Sequence, residues 1–158
     1  MDTAIGELVL IFNEQALISL SIENISTTHE NEVTDAVTIS STEKGQKAVL
    51  SQLKHYFSAA KPFNDIALLP AGTAFQKSVW LELTKIPLGE TRTYGQIAIN
   101  LNTSARAVGN ACRRNPIQII IPCHRVVSAT GIGGYAGDTA GDQLSIKRWL
   151  LHHEGVQV

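Results

Sequence analysis

The sequence predicts an α+β protein: a small N-terminal α/β lobe followed by a mainly helical C-terminal domain that contains a helix-turn-helix. Three observations predict it. Two aliphatic, β-branched runs flank a polar turn near the N-terminus. Apolar residues then recur at helical spacing. Two capping-box patterns, Thr73 with Gln76 and Thr93 with Gln96, open helices in the second half. A chain of 158 residues with 44% hydrophobic content suffices for one domain, or for two small lobes that share a core.

In order, Ile5 to Phe12 and Ala16 to Ile22 read as a hairpin around Asn13-Glu14-Gln15, and Val33 to Ile39 as a third strand. Val49, Leu53, Tyr56, Phe57 and Ala60 place a helix over about Lys44 to Ala59. No catalytic constellation stands in this lobe, assigned to residues 1–68. Lys61 to Gly72, with two prolines and a glycine, is the linker into the domain of residues 69–158. Phe75, Val79 and Leu83 then give an amphipathic helix from Thr73 to about Lys85, ended by a turn at Pro87 to Glu90.

A short helix runs from Thr93 through Leu101. After the turn at Asn102-Thr103, Ser104 caps another that must stop near Asn115-Pro116. Two short helices joined so tightly resemble a helix-turn-helix. The second carries Ser104, Ala105, Ala107, Gly109 and Ala111 beside Arg106, Arg113 and Arg114, a composition that suits close approach to an anionic partner or ordinary helix packing. Gly131 to Gly137 is a glycine-rich loop around Tyr135, either a plain turn or a source of backbone amides for a ligand oxygen. Asp138 to Gln143 reads as a flexible extension before a last helix through Leu144, Lys147 and Leu151 to Glu154.

Charge is unevenly spread. Net charge is −1, yet residues 1–60 hold eight acidic and three basic side chains, while residues 91–137 hold five arginines and no Asp or Glu. That asymmetry points to a basic C-terminal surface for a polyanion. Asp2, Glu7, Glu14 and Glu23, with no Lys or Arg before Lys44, argue against a signal peptide, and no apolar run reaches membrane-spanning length. Two cysteines, Cys112 and Cys123, lack the pairing that a zinc site needs, so neither metal nor cofactor is expected and the compartment is a reducing one. A soluble, cytoplasmic protein is expected.

The most reactive pattern is Pro122-Cys123-His124-Arg125-Val126-Val127 behind Ile119-Ile120-Ile121. Read as a buried strand broken by proline, it turns a thiol out toward a partner. His124 and Arg125 are candidates for the base or positive charge that a thiolate requires. A cysteine at the end of a buried strand can also be a small core residue, but the adjoining His, Pro and basic surroundings favour a nucleophile.

These residues resemble the O6-alkylguanine-DNA alkyltransferases, also called methylated-DNA–protein-cysteine methyltransferases. The resemblance rests on Gly72-Thr73-Ala74-Phe75-Gln76, Val79-Trp80, Ile86 to Gly95, Arg106-Ala107-Val108-Gly109-Asn110-Ala111, Asn115-Pro116, Ile121 to Val126, Gly134-Tyr135-Ala136-Gly137 and Leu150 to Gly155. It implies a ribonuclease-H-like N-terminal lobe without nuclease activity, and transfer of an alkyl group from guanine O6 in duplex DNA to Cys123, one lesion per molecule.

By the same resemblance His124, oriented by Glu154, activates the thiol through a water, Tyr94 assists the departing guanine, and Asn115 braces the thiol-bearing turn. Arg106 replaces the flipped nucleotide from a helix in the minor groove that includes Ser104, Ala105, Ala107, Gly109 and Arg113. Tyr135, the Val126 carbonyl and the amides of Ala136 and Gly137 form the base pocket. Cys112 is expected to pack rather than line that pocket. The protein is expected to act as a monomer, with damaged duplex DNA as partner and no membrane. An alkyltransferase-like lesion sensor lacks the acceptor cysteine, a small transcription factor leaves the Pro-Cys-His-Arg turn unexplained, and a cysteine hydrolase would turn over.

Overall fold

The structure, a computed structural model, describes residues 1–23 and 43–157, with the backbone alone for Glu43. Asp2–Thr3 (β1), Gly6–Phe12 (β2) and Leu17–Glu23 (β3) form an antiparallel sheet in the order β1-β2-β3. The β2/β3 register runs from Glu7 opposite Glu23 to Phe12 opposite Leu17. Their turn is fixed by Asn13, whose side-chain oxygen accepts from the amides of Gln15 and Ala16 at 2.9 and 2.8 Å. The third strand expected at 33–39 lies outside the described residues.

Helix α1 (Glu43–Ala59) buries Val49, Leu53 and Tyr56 in a core shared with Leu8, Leu17 and Leu20 of the sheet, and Ala60, at φ +45°, closes it with its N–H on the Tyr56 carbonyl at 2.8 Å. Helix α2 (Ala74–Thr84) has both halves of its capping box. Its buried stripe is Val79, Trp80 and Leu83, whereas Phe75, expected on that stripe, is 40% exposed. Trp80 takes its place because its ring sits in the core while its indole N–H reaches the Ala111 carbonyl at 2.9 Å.

The strand Arg92–Thr93 (β4) leads directly into α3 (Tyr94–Asn100), and a turn leads to α4 (Ala105–Arg113), capped by Ser104. Farther on, Val126–Val127 (β5) pairs in parallel with β4, Arg92 opposite Val126. This short ladder sets Tyr94 beside the cysteine turn. Helix α5 (Asp142–His153) ends at Glu154. Asp142 and Gln143, expected in a loop, are its first turn, and Asp138 pairs with Tyr135 around a tight turn at Ala136-Gly137, both at positive φ. The extension is therefore only about as long as that turn and the Gly141 entry to the helix.

The strand expected at Ile119–Ile121 does not form. Ile119 stands at φ +69° with the Ile120 N–H on the Gln118 carbonyl at 2.8 Å, a three-residue turn that is strained for a β-branched residue. Pro122, at φ −83° and ψ 64°, makes a second one, the Cys123 N–H bonding the Ile121 carbonyl at 2.8 Å. The isoleucines are hydrophobic because they fill the core, each 8% exposed or less, not because they pair in a sheet. The segment just before them does pair: Leu20 of β3 exchanges backbone bonds with Pro116 and Gln118 at 2.9 and 3.0 Å. One hydrophobic cluster includes Leu8, Leu20, Leu53 and Tyr56 together with Trp80, Val108, Ile117 and Leu150, so the two halves share a core.

Candidate active site

Cys123 opens a single turn of 3-10 helix, Cys123–Arg125, and is only 5% exposed. In this turn Cys123 reaches the Asn115 amide while the next two residues, His124 and Arg125, both reach Glu154. The Asn115 side-chain amide donates to Cys123 Sγ at 3.2 Å and to the Ile121 carbonyl at 2.8 Å, while its oxygen accepts from the Ile117 N–H at 3.0 Å. Asn115 thus ties the sulfur to both limbs of the turn that presents it. Burial pushes the Cys123 thiol above its ordinary pKa, opposed by the Asn115 amide, the Lys147 ammonium and the backbone N–H groups of Cys123 and His124. The resting sulfur is a neutral thiol surrounded by groups that favour its anion.

Behind it lies a buried charge cluster centred on Glu154. Glu154 Oε1 accepts from His124 Nε2 at 2.8 Å, Arg125 Nη2 at 3.0 Å and the Tyr56 hydroxyl at 2.7 Å. Its Oε2 accepts from Arg125 Nε at 2.8 Å and the Gly89 N–H at 3.4 Å. Burial pushes this carboxyl up, but the hydrogen bonds from His124 and Arg125 and their charges outweigh it and hold Glu154 well below the usual carboxylate range. Burial lowers the His124 pKa despite its bond to Glu154, with Arg125 and Lys147 adding to the effect.

The imidazole is therefore neutral. Because Glu154 is an acceptor only, the proton sits on Nε2 and the Nδ1 lone pair is free. Among the described residues His124 Nδ1 and the Tyr135 hydroxyl are both buried with no hydrogen-bond partner. Each orphaned polar group costs roughly 1–3 kcal/mol, and these two, unlike the likewise orphaned Gln118 and Gln143 oxygens, stand in the cysteine turn or in the cavity wall beside it.

A cavity of about 180 Å³ opens onto Cys123, walled by Tyr94, Cys112, Arg113, Tyr135, Ala136 and Gly137, among others. Gly109 faces the Tyr94 ring, where a Cβ would make ordinary contact at 3.9 Å. At Gly137, by contrast, a Cβ would lie 2.6 Å from Arg113 Nε. Cys112, expected only to pack, packs in the core and also lines this cavity, with its thiol pushed up by burial and by Cys123. The Tyr94 hydroxyl is raised by burial and by both thiols, and it donates to the Gly134 carbonyl at 3.3 Å.

Val126 does not line the cavity. It is fully buried, and its carbonyl accepts from Lys147 Nζ at 2.6 Å. Lys147 is fully buried as well, and also donates to the Gly134 carbonyl at 2.9 Å. Burial draws its pKa down to about 8 against the upward pull of the two thiols. Sequence reasoning gave Lys147 no role, although a lysine one position after Ile146 and three before Leu150 falls on the apolar face of α5.

The basic surface is narrower than five arginines suggest. Arg125 is spent on Glu154, and Arg92 pairs with Glu90 at 2.9 Å. Arg106, Arg113 and Arg114 remain exposed, as do Ser104 and Ala105. Helix α4 buries Val108, Ala111 and Cys112 and turns its small residues and arginines outward, with Ala107 and Gly109 half-buried between. Among the described residues no group of three or more His, Cys, Asp or Glu could hold a metal ion.

Residues 74–156 match the model of the family described as 6-O-methylguanine DNA methyltransferase, DNA binding domain. The chain belongs to this family. Its relatives include a methylated-DNA–protein-cysteine methyltransferase of Methanosarcina acetivorans, 52% identical over 107 residues, or 66% of this chain and 65% of that relative. One of the same name from Mycobacterium leprae is 42% identical across 100% of this chain and 92% of its own length.

Family members of known structure superpose over the whole chain. The Mycobacterium tuberculosis O6-methylguanine methyltransferase, 35% identical, covers 98% of this chain and 89% of its own with a TM-score of 0.76. A crystal structure of Mycobacterium tuberculosis OGT in complex with DNA, 38% identical, gives a TM-score of 0.77 over 98% of this chain.

Proposed function

We propose that this family member repairs DNA by direct reversal, moving an alkyl group from O6 of guanine in duplex DNA to Cys123 in a single irreversible turnover. One observation carries the reading: a cysteine sulfur, held by Asn115, faces a cavity between two tyrosines while a neutral histidine fixed by Glu154 stands next to it in the same turn. In the reaction the S–C bond forms as the C–O6 bond breaks, and the electron pair of that bond stays on guanine. The thiol proton passes, relayed by a water, to Nδ1 of His124, whose Nε2 is held by Glu154, and Glu154 stabilises the imidazolium. The Tyr94 hydroxyl assists protonation of the departing guanine, so that overall the thiol hydrogen is exchanged for the alkyl group. The thioether has no route back, and the protein is consumed.

The target atom lies inside the base stack, so the nucleotide must be flipped out. Helices α3 and α4 act as the helix-turn-helix. The outward Ser104, Ala105, Ala107 and Gly109 suit close approach to the narrow minor groove, with Arg106 filling the vacated stack and Arg113 at the cavity mouth. Tyr135, whose hydroxyl lacks a partner, and the turn at Ala136-Gly137 receive the base. The Val126 carbonyl is taken up by Lys147 and stands outside this pocket, so the base is received without it.

Residues 1–68 form a small ribonuclease-H-like α/β lobe, a reading supported by the antiparallel β1-β2-β3 order followed by α1, and residues 69–158 form the acceptor domain. The protein acts as a monomer on damaged DNA in the cytoplasm. Among the described residues no helix is long and apolar enough to cross a membrane.

The test is mass spectrometry of tryptic peptides after exposure to duplex DNA bearing O6-methylguanine. One methyl is expected on the Cys123 peptide. Cys123→Ser abolishes transfer and Cys112→Ser keeps most of it. Methyl on Cys112, or repeated turnover, overturns the assignment.

A further inference from the structure

We infer that Tyr56, from the N-terminal lobe, is a positioning residue that sets the proton affinity of His124 through Glu154. The inference rests on the role proposed above for Cys123 and His124. Tyr56 is fully buried, and its hydroxyl donates to Glu154 Oε1 at 2.7 Å, the same oxygen that accepts from His124 Nε2. Burial, and then the Glu154 charge, hold the phenol far above its ordinary pKa, so it remains a donor.

The ring cannot drift. It stacks on Phe63 at 5.1 Å and 26°, and meets the edges of Phe57 and His153 at 5.3 Å each. The Tyr56 carbonyl bonds His153 Nε2 at 2.6 Å, so the two ends of one residue grip the consecutive residues His153 and Glu154.

A carboxylate oxygen shared among three donors offers less charge to each of them. The groups facing Glu154 are His124 and Arg125 from the cysteine turn, the Gly89 amide from the loop after α2, and Tyr56 from α1. Lys147 of α5 also acts on His124. All of these except Tyr56 lie in the family-matched segment, residues 74–156. Among the described residues Tyr56 is the one donor to Glu154 brought from the first lobe. By drawing charge from Oε1 it keeps the His124 imidazole neutral, the form able to take the thiol proton.

Tyr56→Phe removes the hydroxyl and keeps the ring. Two readouts follow. At neutral pH without DNA, the imidazole Nε2–H proton of His124, assigned by its loss in His124→Gln, is expected to move downfield as its bond to Glu154 strengthens. In single-turnover methyl transfer, the acid limb of the rate profile is expected to move up by about half a pH unit or more, because a more charged carboxylate favours the imidazolium.

An unmoved resonance with an unmoved acid limb overturns the inference. So does a rate that falls equally at every pH while the resonance stays in place, since that pattern belongs to a ring that only fills space. The resonance needs no substrate, so it tests the coupling even if methyl transfer to Cys123 itself were absent.

Discussion

Residues 1–60 are acidic and offered no catalytic constellation in sequence, while residues 91–137 lack acids and contain Cys123, His124 and the exposed Arg106, Arg113 and Arg114. By composition the first region looks dispensable to the chemistry. The structure sets the two side by side at the atoms that matter. β3 pairs with the segment that leads into the cysteine turn, and α1 sends Tyr56 onto Glu154. Reactive side chains cluster in sequence because the turn that presents them is local. The groups that hold those side chains at the right angle and protonation state come from wherever the core brings them together.

The most severe way to break this arrangement is Glu154→Gln. It leaves Arg125 buried with no countercharge and puts a neutral amide where His124 had its carboxylate. Loss of one partner of a buried pair costs about 3–5 kcal/mol, or roughly 6–20 °C of melting temperature at about 2–4 °C per kcal/mol. Methyl transfer should collapse with it. A variant that melts within a degree or two of the parent and still transfers would show that the cluster is not what holds the turn.

Arg106→Ala separates DNA handling from bond-making. Unstacking a base costs a few kcal/mol, so duplex repair should slow by about tenfold or more. Reaction with the free base O6-benzylguanine, which needs no flipping, should change by less than about twofold. Equal losses on both substrates would give Arg106 a structural or chemical role instead.

The smallest expected effect is acid sensitivity. The His124 pKa is lower in the folded protein than its ordinary value of 6.5. The unfolded chain therefore takes up the proton first, and stability that is complete above pH 6.5 falls as the pH drops below it, with a slope of at most about 1.4 kcal/mol per pH unit. Thermal melts from pH 7.5 down to 5, repeated with His124→Asn, check this. Parent and variant losing stability in parallel would place the acid-sensitive group elsewhere.

Much of the fold and the heart of the site were legible in the chain itself. The capping boxes at Thr73 and Thr93, the Ser104 cap and the Asn13 turn are bonds between residues two or three apart, so adjacent letters encode them directly. The cysteine motif is legible for the same reason. What those letters could not decide was how Ile119 to Pro122 folds, because an apolar run suits a buried strand and a buried pair of tight turns equally well. Nor could they divide the arginines. Arg125 became internal only because Glu154, 29 residues away, ends α5 beneath the cysteine turn. Lys147 likewise became an anchor for two carbonyls, and Tyr56 reached Glu154 across 98 residues. A buried charge is stable only where partners converge on it, and that convergence is a property of the shared core and not of any stretch of sequence.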